Sequence, residues 1–245
     1  MTTDIENMFK DKVLGHPAGL FVLFFTEMWE RFSYYGMRAL LVMFFTASLL
    51  DGGWGWPREH AYAIFGTYTS LVYLSTLLGG YFADKKIGYR YAVAIGALLM
   101  TLGHGAMAIE TPFFIYLGLT LLVFGSGFFK PNMTSIISEM YKGKDEKKDG
   151  AYTIFYMGVN AGAFLGILLC GYLGEQIGWR WGFGLAGIFM LFGLLQFWFA
   201  QNIFGDIGKK PLKIDATVLE TSAEEPKLNP FTSVQLTLIG IAGVL

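Results

Sequence analysis

The stretch TEMWERFSYYGMR, Thr26 to Arg38, holds Glu27, Glu30, Arg31, Tyr34, Tyr35 and Arg38 between the apolar runs GLFVLFF and ALLVMFFTASLL. At 100° per residue these six side chains share one helix face, an arc of about 140°. Each ionised side chain near a bilayer centre costs about 2.5 to 3.5 kcal/mol on insertion scales, so four facing lipid would cost roughly 10 kcal/mol. They must face a wet cavity or partners. Glu27 and Arg31 form a favourable i, i+4 pair, so the plain alternative is a salt-bridged stripe that locks helices together. Helix packing in membranes can be had from small residues without buried charge. Two glutamates also supply titratable groups whose proton affinity responds to a neighbouring cation or to dehydration. That chemistry suits proton coupling.

Lys130, in GSGFFKPNMTS, is the second costly residue, with Pro131 behind it to bend or loosen its helix. Snorkelling from so central a position is difficult, so a buried carboxylate partner is expected, Glu27 or Glu30, with a fixed ion pair as the structural alternative. Asn160, in FYMGVNAGAFLG with Tyr156 one turn away, offers a donor and an acceptor for a ligand or for an interhelical bond. Tyr73, in LVYLSTLLGG, is the weakest of these signals, since a tyrosine in a span is often amphipathic filler. In GGYFADKKIGYR, Gly79 to Arg90, the glycines allow close helix approach. Asp84 can accept from backbone amides or an arginine there, and Lys85, Lys86 and Arg90 anchor the loop inside. A latch that opens and closes is expected there. No P-loop, HExxH, GxSxG, CxxC or nucleic-acid-type basic patch is present, and His16, His60 and His104 share no metal-ligand spacing. Cys170, the one cysteine, reads as packing. Neither metal nor organic cofactor is expected, and no nucleic-acid partner.

These residues need membrane-spanning elements to hold them. Hydrophobic residues make up 54% of the 245 and charged residues 15%, with a mean hydropathy of +0.48; soluble domains carry about 25% charged residues. The class is integral membrane protein, all-α. Apolar stretches long enough to cross a bilayer, about 20 residues each, run over 17–50, 60–83, 91–110, 112–141, 151–174 and 180–201. The first dozen residues are polar and lack a cleavage pattern, so the first span is expected to act as its own insertion signal.

Lys10, Lys12, Lys85, Lys86, Arg90, Lys142, Lys144, Lys147, Lys148, Lys209, Lys210, Lys213 and Lys227 fall in segments on one side of this arrangement, and only Arg58 and Arg180 on the other. By the positive-inside rule the N-terminus is cytoplasmic, in a multi-pass protein of the cytoplasmic (inner) membrane. Residues 1–201 read as one transmembrane bundle of six helices. Residues 202–229, polar and of mixed charge, read as a mobile cytoplasmic linker. Residues 230–245 read as the start of a seventh helix, too short to cross a bilayer, and so as the opening of a second bundle in a longer protein.

The set resembles the proton-coupled oligopeptide transporter family of the major facilitator superfamily. EMWERFSYYG resembles that family's ExxER signature with its paired tyrosines, FFKPN its fourth-helix lysine, and FYMGVNAGAFLG its fifth-helix asparagine motif. GGYFADKKIGYR is similar to the superfamily's loop between helices two and three, with one extra residue. The resemblance implies two six-helix bundles, each of two inverted three-helix repeats, with substrate at the midplane between them. It implies proton coupling through Glu27, Glu30, Arg31 and Lys130, with the proton as the only coupling ion. A pocket for di- and tripeptides would be lined by Arg31, Tyr34, Tyr35, Tyr73, Lys130 and Asn160. Arg38, toward an acidic residue of the seventh helix, and Asp84 would serve gating. Where some family members carry a histidine, seven residues before the second-helix tyrosine, this chain has Gly66, which leaves coupling to the carboxylates. The implied function is proton-driven peptide symport by alternating access, a secondary transporter and not an enzyme. Its rivals are carriage of nitrate or another small anion on the same scaffold, and a non-transporting membrane receptor.

Overall fold

The structure, a computed structural model, describes residues 12–210. A two-residue antiparallel ladder, β1 (Lys12–Val13) with β2 (His16–Pro17), leads into six long helices. These are α1 (Ala18–Thr46), α2 (Arg58–Phe82), α3 (Tyr89–Met107), α4 (Pro112–Met140), α5 (Asp145–Gln176) and α6 (Trp179–Phe199). Local chemistry sets their ends. Proline precedes α1 and α2 and opens α4, where a missing N–H costs no intrahelical bond. Between α2 and α3 the chain passes through a π-turn, Ala83–Ile87, and turns at Gly88 with φ 82°. Between α5 and α6 it turns at Gly178 with φ 142°. Both values suit glycine.

Four helices, the segments Arg58–Ile87, Pro112–Met140, Asp145–Gln176 and Trp179–Phe204, are long and apolar enough to cross a membrane by length and composition. Helix α1 has the length, but Glu27, Glu30, Arg31 and Arg38 break its apolarity. Arg90 and His104 dilute the short α3.

Packing follows a crossed pattern. Helix α1 lies along α5 and α6, α4 lies along α2 and α3, and α3 also meets α6. The α1–α5 seam is built on small residues at helical spacing: a Cβ at Gly158 would come 2.9 Å from the Phe24 carbonyl oxygen, and Cβ atoms at Gly162 and Gly166 would overlap the Met28 and Phe32 carbonyls. Backbones so close gain dispersion contact that side chains would prevent. The α1–α6 seam adds polar bonds through Gln196, which accepts from the Trp29 indole at 3.2 Å and donates to the Val22 carbonyl at 3.3 Å. Ser75 of α2 donates to the Val123 carbonyl of α4 at 2.7 Å.

Pro131 lies inside α4, which continues through it; Asn132 donates to the Phe128 carbonyl at 2.7 Å, and Thr134 and Ser135 to the Pro131 carbonyl at 2.9 and 3.0 Å, so side chains bond carbonyls flanking the missing donor. One expectation changes: the expected mobile linker is structured where it begins. Ala200–Phe204 forms a 3₁₀ turn and Phe204 and Ile207 are fully buried, because the apolar side chains in IFGDI have a helical surface to cover. The rest of that linker, 211–229, and the expected seventh helix, 230–245, lie outside the described residues.

Candidate functional site

Helix α1 brings its charges together as its periodicity requires. Arg31 Nε donates to Glu27 Oε1 at 2.6 Å and lies 2.9 Å from Glu30 Oε2. The second contact is an ion pair without hydrogen-bond alignment: both Glu30 oxygens and Glu27 Oε2 are buried without a hydrogen-bond partner. Glu30 is fully buried and Glu27 nearly so. A carboxylate buried with open acceptor sites is costly, and a proton or a donor from a ligand would relieve it. The arrangement can hold a proton.

Lys130 departs from expectation. Among the described residues its ammonium pairs with neither glutamate; its Nζ sits 3.9 Å from the centroid of the Tyr34 ring. Arg31 already occupies the carboxylates from the same helix, at shorter reach, and the ring face offers Lys130 the nearest negative potential. Arg38 lies over the other side chains of this aromatic group, its Cζ 5.2 Å from Tyr34, 5.9 Å from Tyr35 and 5.0 Å from Phe65 of α2. Its Nη1 donates to the Tyr34 hydroxyl at 3.4 Å, and Arg31 Cζ is 5.7 Å from the same ring. Tyr34, 2% exposed, is therefore the hub of three cations, and Tyr35 packs edge-on against it at 5.3 Å. Of these cations Arg31 is paired with Glu27 and Glu30, and Lys130 and Arg38 keep donors that could meet an anion such as a carboxylate.

The remaining candidates stand apart. Tyr73 is 67% exposed on α2 and counts among the ionisable neighbours of Tyr34. Asn160 is exposed on α5 and donates to the Tyr156 carbonyl of its own helix at 3.0 Å, an open face and not part of the α1 cluster. The acidic partner expected for Arg38 was placed on the seventh helix, outside the described residues. Asp84 is exposed in the π-turn and takes the hydroxyl of Tyr89, whose pKa burial and this bond push up to about 12. Arg90 does not meet Asp84. Its Nη1 donates to the carbonyls of Gln201 and Gly205 at 3.1 and 2.9 Å, its N–H to Gly208 O at 3.0 Å, and Gly208 N–H to Glu139 Oε2 at 2.8 Å. The loop between α2 and α3, the end of α4 and the segment after α6 are tied together.

Sequence reasoning passed over Phe65 and Tyr68 of α2. Their signal is an aromatic pair at i, i+3, one to two turns before Tyr73, on a helix facing α1.

The sequence pattern of the POT family matches residues 90–223. A peptide transporter of Yersinia enterocolitica is 45% identical over 186 residues, 75% of this chain and 36% of that protein. A di-/tripeptide transporter of Lactococcus lactis is 40% identical over 203 residues, 80% of this chain and 40% of that protein. A crystal structure of a peptide transporter POT with sulfate superposes with a TM-score of 0.82 at 38% identity, covering all of this chain and 49% of the transporter. A mutant POT transporter with alafosfalin gives the same TM-score over 50% of its chain. The chain therefore matches between 36% and 50% of the length of these transporters.

Proposed function

The chain belongs to the POT family, and from that premise we propose that it is the N-terminal half of a proton-coupled symporter of di- and tripeptides working by alternating access. The observation that carries the reading is the buried Glu27–Glu30–Arg31 cluster with open carboxylate oxygens, one helical turn from a tyrosine held by Lys130 and Arg38. Glu27 and Glu30 take up and release the proton. Arg31 competes with that proton for the same oxygens, so protonation frees its guanidinium. Lys130, with Arg38 beside it, draws the peptide's terminal carboxylate onto the Tyr34 ring. Tyr34, Tyr35, Tyr73 and Asn160 offer hydroxyl and amide groups to the peptide backbone whatever its side chains, which permits broad specificity. Arg38 and Asp84 serve gating, and no cofactor beyond the proton is needed.

All six helices are assigned to one major facilitator bundle of two inverted repeats, α1–α3 and α4–α6. Two features support the assignment: α1 packs on α5 and α6 as α4 packs on α2 and α3, and each trio has a positive-φ glycine between its second and third helices. A second six-helix bundle completes the pocket, in the inner membrane with the N-terminus cytoplasmic. The relatives' peptide cargo supports the substrate class.

The test is dialanine uptake into proteoliposomes by the protein carrying both bundles. Accumulation driven by an inward proton gradient, and lost in Lys130→Ala, is expected. Gradient-independent uptake would remove the coupling, and no peptide uptake by folded protein would remove the substrate class.

A further inference from the structure

Tyr68 lies on α2 at 3% exposure, and its hydroxyl has no hydrogen-bond partner. A tyrosine hydroxyl in such a place normally finds one. It forms part of the wall of a groove of about 420 Å³ between α2 and α4, but that groove offers it little. Its other walls are mainly aliphatic and aromatic, and the hydroxyls of Thr67 and Thr120 are turned to carbonyls of their own helices, each at 2.8 Å. The chemistry is on the α1 side. One turn before Tyr68, Phe65 lies under the Arg38 guanidinium, and the ionisable groups acting on Tyr68 are Tyr34, Glu30 and Arg38. Of these Arg38 only donates, and the Tyr34 hydroxyl already accepts from it. Glu30 has two buried oxygens without a hydrogen-bond partner. A buried hydroxyl without a partner on α2 thus shares its surroundings with a carboxylate on α1 whose Oε1 has neither a hydrogen bond nor an ion pair.

We infer that Tyr68 is a positioning residue for the proton on Glu30, its hydroxyl donating to the Glu30 carboxylate, directly or through one water, in the deprotonated state of the transport cycle. The tyrosine keeps its own proton, and only a hydrogen bond forms and breaks as Glu30 gains or loses its proton. The other charges facing Glu30 are Arg31, Glu27 and Lys130. Arg31 holds the carboxylate from its own helix, whereas Tyr68 would hold it from α2, so α1–α2 movement would make the bond and proton release depend on each other. The inference rests on the proton-coupled reading above.

The test is the pH profile of proton-driven dialanine uptake by the complete transporter, comparing wild type with Tyr68→Phe. A hydroxyl donating to a carboxylate favours its ionised form, so the midpoint should move to higher pH by about half a unit or more. In a Glu30→Gln background, Tyr68→Phe should leave the pH profile of dialanine exchange where Glu30→Gln alone puts it. A wild-type profile driven by protons but superimposable on that of Tyr68→Phe would overturn the role of Tyr68 alone. Wild-type uptake indifferent to the gradient would overturn the coupled reading and this inference with it. Should Tyr68→Phe not fold, infrared difference spectra of wild type decide. A tyrosine C–O(H) band at the frequency of a hydrogen-bond donor should appear as the carboxylate deprotonates and be absent from the spectra of Glu30→Gln. Its absence from wild type, or its persistence in Glu30→Gln, would overturn the inference.

Discussion

Lys130 meets Tyr34 face-on, its ammonium 3.9 Å from the ring centroid, in a region where two carboxylates are already engaged by Arg31. The fourth helix is thus joined to the first through an aromatic face, which leaves the lysine able to take an anionic ligand without first breaking a salt bridge.

Ring and hydroxyl of Tyr34 are separable. Tyr34→Phe keeps the surface under Lys130, Arg31 and Arg38 and loses only the 3.4 Å bond from Arg38, so peptide affinity should fall a few-fold. Tyr34→Leu removes the surface itself, and at about 0.5 to 2 kcal/mol per cation–π contact the loss should be at least tenfold. Binding titrations of the two variants check the order. Equal losses would show that the ring carries nothing.

Gly162 should tolerate no larger side chain. A Cβ there overlaps the Met28 carbonyl and comes 3.0 Å from Arg31 Cβ, so Gly162→Val must part α1 from α5 beside the charged cluster. Overpacking of this kind costs about 1 to 3 kcal/mol. Thermal unfolding in detergent should start several degrees lower, while Gly171→Ala on the same helix, with nothing within 4 Å of its Cβ, should match wild type.

The tie made by Arg90 should be visible to hydrogen exchange. Arg90→Ala removes two part-buried bonds, to the Gln201 and Gly205 carbonyls, worth about 1.5 to 3 kcal/mol each for a charged donor. Residues 201–208 should then exchange at least tenfold faster while α1 keeps its protection. Unchanged exchange there would mean that Phe204 and Ile207 hold the segment without Arg90.

His16 gives a pH dependence of stability. Its Nδ1 lies 2.7 Å from the Tyr141 hydroxyl, and burial together with the Lys147 ammonium holds its pKa below the ordinary 6.5. The unfolded chain therefore binds a proton at higher pH than the folded one, and stability falls as pH drops through 6.5 toward the folded value. Melting curves at pH 7.5 and 5.5 should show a smaller loss for His16→Gln than for wild type.

Much of this was legible before any coordinates. The 100° periodicity put Glu27, Glu30, Arg31, Tyr34 and Arg38 on one face, and the structure has them in contact, because a helix fixes neighbours within one element. Partners across helices were not legible. Lys130 was expected on a glutamate and sits on Tyr34, since composition cannot say which of several opposite or aromatic groups is nearest after packing. Phe65 and Tyr68 passed unremarked for the same reason, as apolar-looking residues gain meaning only from what faces them. Arg90 carries the same lesson: its motif suggested an anchored loop, but only the fold brings Gln201 and Gly205 to its guanidinium.

Proton movement itself tests the central claim most directly. With a pH dye inside proteoliposomes carrying the complete transporter, dialanine added outside without any imposed gradient should acidify the lumen, and Glu30→Gln should abolish the acidification. Dialanine entry without acidification, or acidification that survives in Glu30→Gln, would contradict the account.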